Sequence, residues 1–176
     1  GRATAVDGLS GEKGLAGYAA GAPRNVAVVL SLFGRLDPEI LPEMFRRVPS
    51  LGQLFRFHAD TWIAESLYPR IGDTGAFGRA DKAYIGADFI RNPFDTAGIG
   101  IPFVSDFSLF WNLHVITGDP LFVQLLYLAN DRCVDGLPHD PFATDSIKFQ
   151  ENVAEVIREH GATLPAKSVN KEQWAL

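Results

Sequence analysis

Three short stretches of this chain hold residue types that could do acid–base chemistry at close quarters. The first, Asp7-Gly8-Leu9-Ser10-Gly11-Glu12-Lys13-Gly14-Leu15-Ala16-Gly17-Tyr18, sets an acid, a base and a phenol among glycines ahead of a predicted helix. Glycine lets a backbone come close to a ligand, and a tyrosine there could serve as general acid or base. The spacing is not that of a phosphate-binding loop. A lead-in to the helix explains the same composition without a site. The second, Tyr68-Pro69-Arg70-Ile71-Gly72-Asp73-Thr74-Gly75-Ala76-Phe77-Gly78, spaces a phenol, a guanidinium and a carboxylate by proline and glycine. Asp73 could instead accept from the amides of Thr74 or Gly75 in a tight structural turn. The third, Asp135-Gly136-Leu137-Pro138-His139-Asp140-Pro141-Phe142, places an imidazole beside a carboxylate that could orient it, or forms a proline-flanked turn leading into a helix.

The other candidates are weaker. His58 shares a predicted helix face with Trp62 rather than with Asp60, and His114 lies in an apolar helix, so both read as packed histidines. Cys133 is the single cysteine. It has no neighbouring base in sequence and reads as packed. It excludes an internal disulfide and any cysteine-based zinc cluster. Neither a His-Glu-x-x-His zinc motif nor a Gly-x-Ser-x-Gly nucleophile elbow occurs, so no metal ligands or cofactor are assigned.

These segments need elements to hold them, and the sequence supplies mostly helices. With 176 residues, 47% of them hydrophobic, the chain can bury a core without disulfides. Its charged fraction of 21% is too ordinary for a disordered chain. No apolar run reaches the roughly 18 residues that a membrane helix needs. The net charge of -5 argues against a general nucleic-acid scaffold. That charge is uneven. Residues 1–88 carry 10 Lys+Arg against 10 Asp+Glu, and residues 89–176 carry 6 against 11. Any anion-binding surface is therefore expected in the first half, where eight of the ten bases are arginine, suited to bidentate carboxylate or sulfate recognition.

Periodicity predicts a helix through Val26, Val29, Leu30 and Phe33, stopped at Gly34. Asp37-Pro38-Glu39 should cap a second helix that ends before Pro49. Ser50 should open a third, running to about Leu67 with Leu54, Phe55, His58 and Trp62 on one side. Tyr68 to Phe103 shows little periodicity, with a possible strand at Ile99 to Val104; a segment that long and irregular is usually functional or partly ordered by a neighbour. Helices resume from Ser105 to Thr117 and after Asp119-Pro120 through Leu128. A final helix should bury Ile147, Phe149, Val153, Val156 and Ile157 and close at Gly161. Ser168 to Leu176 reads as the opening of one more helix. That reading, with Met44 as the sole methionine, suggests a chain cut from a longer one. The predicted fold class is all-α: one domain over residues 1–176, made of antiparallel helical hairpins around the irregular segment at 68–103.

Two of these motifs, with the helical hairpins, resemble the heparinase II/III-like proteins, bacterial relatives of polysaccharide lyases. The resemblance rests on Tyr68-Pro69-Arg70-Ile71-Gly72-Asp73-Thr74-Gly75 and on Asp7-Gly8 with Glu12, Gly14 and Tyr18. It implies part of an incomplete (α/α) toroid, with a β-sandwich domain expected downstream. It also implies a periplasmic or extracellular protein that cleaves acidic, uronate-containing polysaccharide such as glycosaminoglycan or alginate by β-elimination. On that resemblance Glu12, Tyr18 and Tyr68 are the expected catalytic residues, and Arg70, Asp73 and His139 the substrate-binding ones. Lys13 interrupts the family pattern before Gly14, and Tyr18 falls later than the pattern places its tyrosine, so Glu12 transfers more directly. The isolated piece is expected to be inactive.

Two other classes fit the same residues. A non-catalytic helical interaction domain would scatter Tyr68, Arg70 and Asp73 over the surface. An (α/α)-toroid glycoside hydrolase would set two carboxylates, here Glu12 and Asp73, about 5–10 Å apart across a cleft.

Overall fold

The computed structural model describes residues 26, 29–30, 32–60, 106–137 and 146–164, and the backbone of Asn170, Lys171, Trp174 and Ala175. Among these residues the architecture is helical, with six helices. α1 covers residues 32–36, and Val26, Val29 and Leu30 are also helical. It is followed by α2 (Ile40–Arg47), α3 (Ser50–Asp60), α4 (Asp106–Thr117), α5 (Leu121–Ala129) and α6 (Ser146–His160). A toroid is not visible in these elements.

The chain divides into two compact units. One takes Gly1–Val26, Pro42–Phe89 and Pro165–Leu176, and the other takes Ala27–Leu41 and Ile90–Leu164.

In the first unit the chain turns from α2 into α3 through Val48 and Pro49. The amide of Val48 donates to the carbonyl of Met44 at 2.8 Å, closing α2 before the proline as expected. The start of α3 differs from expectation. The amides of Leu51 and Gly52 donate to the carbonyls of Val48 and Pro49, at 3.0 and 3.1 Å, so Ser50 already lies inside the first turn. Proline suits this place because its fixed φ is helical and its missing N–H would have had no partner there. Phe45, Leu54, Phe55 and Phe57 are buried. Phe57 lies off the face that the spacing predicted. The continuation of α3 beyond Asp60, the segment at 68–103 and the possible strand at 99–104 lie outside the described residues.

In the second unit α1 runs through Gly34 instead of stopping there, and reaches Leu36. The reason is steric. A Cβ on Gly34 would stand 2.7 Å from Cδ1 of Leu41, which is 2% exposed. The glycine is there to admit the leucine. Asp37 then behaves as the expected cap. Its amide closes α1 by donating to Phe33 at 3.1 Å, and its Oδ1 accepts from the amide of Glu39 at 3.0 Å.

α4 and α5 form a hairpin joined by Gly118, Asp119 and Pro120. Gly118 takes φ +69°, and its amide donates to His114 at 2.7 Å, which ends α4 in the left-handed turn that glycine tolerates. Asp119 Oδ1 then accepts from the amide of Leu121 at 3.1 Å, opening α5. Leu121, Phe122, Val123, Gln124, Leu125 and Leu126 are all buried, so the first two turns of α5 are buried around their circumference and α5 is central to this unit. The rings of Phe110 and Phe122 meet edge to face at 5.8 Å. Fully burying side chains of this size contributes about 1.5–3 kcal/mol each.

α6 ends where expected. Gly161 has φ +84°, and its amide donates to Ile157 at 2.9 Å. Val153 and Val156 are buried, but Ile147 is 70% exposed and does not join them. It lies in the first turn of the helix.

The helical opening expected at 168–176 is not found at the residues described there. Asn170 and Lys171 pair antiparallel with Trp174 and Ala175, in register Asn170 to Ala175 and Lys171 to Trp174. Tryptophan is at home on a pleated surface.

Candidate functional site

The six residues that sequence reasoning nominated lie outside the described residues: Glu12, Tyr18, Tyr68, Arg70, Asp73 and His139. The structure therefore neither brings them together nor separates them. The polar chemistry that it does place sits elsewhere, in two clusters and one loop.

The more connected cluster joins the ends of α4 and α6 to the body of α5. His114, in the last turn of α4, sets its Nδ1 3.0 Å from the carbonyl oxygen of Asp119. A carbonyl only accepts, so Nδ1 carries the proton and Nε2 is the acceptor of the neutral ring. The imidazole lies 5.5 Å from the ring of Trp111, which in turn meets Phe149 of α6 edge-on at 5.9 Å. Burial holds the His114 imidazole below its usual pKa, and the charge of His160 lowers it further. His160 is itself exposed and stands 4.0 Å from a carboxylate oxygen of Glu159. Gln124 is the buried polar residue of this region, and its Nε2 donates to the carbonyls of His160 at 3.3 Å and Gly161 at 3.1 Å. The first is the last carbonyl of α6, which an α-helix leaves without an internal partner, and the second follows it directly. His114 and Gln124 thus each tie a side chain to a helix terminus. His114 reads as the packed, hydrogen-bonded histidine expected of an apolar helix.

The second cluster is on the surface of α2. Glu43 accepts from Nε and an Nη of Arg46, both at 2.7 Å, and from Nε of Arg47. The bonds from Arg46, then Arg47, hold the Glu43 carboxyl below its usual range, and Glu43 raises the Arg46 guanidinium in return. One carboxylate serves two guanidinium groups, all well exposed, which is a solvated helix face more than a binding site. On α3, Arg56 Nε approaches Asp60 at 3.3 Å; here the carboxylate is 7% exposed.

The loop after α5 corrects the reading of Cys133. Its thiol is free and exposed instead of packed. The loop turns through left-handed conformations at Asp131 and Arg132, with φ of 54° and 59°. It is stapled by the side-chain amide of Asn130, which donates to the carbonyls of Cys133 at 2.6 Å and Asp135 at 3.3 Å. That turn faces the thiol outward and lets Leu137, four residues on, become buried.

Gln124 and His160 carry no sequence motif. The available signal was the lone amide in the apolar run from Leu121 to Leu126, since a polar group inside such a run must find a partner. Among the described residues no three His, Cys, Asp or Glu side chains gather as a metal site, and no helix is long and apolar enough to cross a membrane. No protein-family model, curated protein or solved structure matches the chain.

Proposed function

We propose that this chain is the helical part of a heparinase II/III-like polysaccharide lyase that acts on uronate-containing polysaccharide by β-elimination. The observation that carries the reading is the pairing, in one mainly helical chain, of the Tyr68 to Gly75 motif with the Asp7 to Tyr18 segment. The described elements support it with a tight helical hairpin, α4 with α5, of the kind from which such toroids are built.

In this reading Arg70, with Asp73 and His139 shaping the cleft, neutralises the uronate carboxylate and so acidifies the C5 proton. A base drawn from Tyr68, Tyr18 or Glu12 takes that proton, and its electron pair forms the C4–C5 double bond. The C4–O bond to the leaving sugar breaks, and an acid from the same set protonates the departing oxygen. No metal or cofactor enters the scheme.

The test is the full-length protein incubated with heparan, chondroitin and alginate, followed by ultraviolet absorbance of the unsaturated uronate. Absorbance growing with time supports the lyase. New reducing ends without absorbance would favour the glycoside hydrolase built on Glu12 and Asp73. Neither signal on any uronate polymer overturns both enzymatic readings and leaves the helical interaction domain.

A further inference from the structure

We draw no further inference here: the strongest candidate, the exposed apolar face that Val29, Leu32, Phe33 and Leu36 present along α1, has nothing in the structure to show what covers it.

Discussion

The side-chain amide of Gln124 donates to the carbonyl oxygen of Gly161 at 3.1 Å and to that of His160 at 3.3 Å, so α5 caps the end of α6 with a single nitrogen. Gln124→Ala should lower stability by about 1–3 kcal/mol, the cost of losing buried hydrogen bonds. Gln124→Glu should cost more at neutral pH, because it turns a carboxylate toward two carbonyl oxygens. Urea denaturation of the three proteins checks the order; a glutamate variant as stable as the parent would show that this cap contributes nothing.

The close approach of Gly34 and Leu41 sets two effects against each other. Alanine in a helix is favoured over glycine by about 1 kcal/mol. Here its Cβ would stand 2.7 Å from Cδ1 of Leu41, so a side chain that is 2% exposed must shift within its packing, and overpacking costs about 1–3 kcal/mol. Gly34→Ala is therefore expected to destabilise, and Leu41→Ala on the same background to recover part of the loss. A double-mutant cycle reads the coupling directly. Additive effects would mean that the two residues do not press on each other.

His114 gives stability a defined pH slope. Its folded pKa is below its ordinary value, so between the two the unfolded chain binds more protons than the folded one. Stability then rises with pH and is lost as pH falls through the unfolded value of about 6.5 toward the folded one. Below the folded value this contribution is flat. His114→Asn, which keeps a donor near the Nδ1 position, should remove that part of the slope. Thermal melts across this window test it, and an unchanged slope in the variant rules His114 out as its source.

Cys133 should behave as an open thiol. With one cysteine in the chain and its side group exposed, a thiol reagent should label one equivalent without denaturant. Labelling that waits for denaturation would contradict the outward turn set by Asn130.

For the proposed lyase, Tyr68→Phe and Glu12→Gln in the full-length protein each remove a proton-transfer group. Loss of such a group typically costs 100- to 10,000-fold, roughly, in turnover. Arg70→Ala should weaken substrate binding as well as turnover. Steady-state rates from the unsaturated product separate these effects, and full activity in all three variants would remove the assigned roles.

Much of the helical order was legible because helix ends are written in local chemistry. Asp37, Pro49, Asp119 and Gly161 each satisfy or deny a terminal backbone group within a few residues, and each does so where the sequence said. What escaped depends on partners distant in sequence or on the chain's tertiary course. Gly34 looks like a stop until Leu41 is seen against it. Cys133 looks packed until two left-handed residues turn it outward. The C-terminal residues have acceptable helix propensity yet pair as strands. The candidate site was legible only as residue types: nothing local in Tyr68, Arg70 or Asp73 says whether they converge with Glu12, because that is a matter of long-range folding.

The three-residue link between α4 and α5 also bears on the order in which this part of the chain assembles. Closing so short a loop costs little entropy, so the hairpin can form early from neighbouring residues alone. The Gln124 bonds to α6 join residues 36 and 37 positions apart and must wait for a longer closure. Truncating Phe122 should therefore slow folding, whereas Gln124→Ala should mainly quicken unfolding, a division that refolding and unfolding rates would expose. The last turn of α6 then acts as a latch on a hairpin already made.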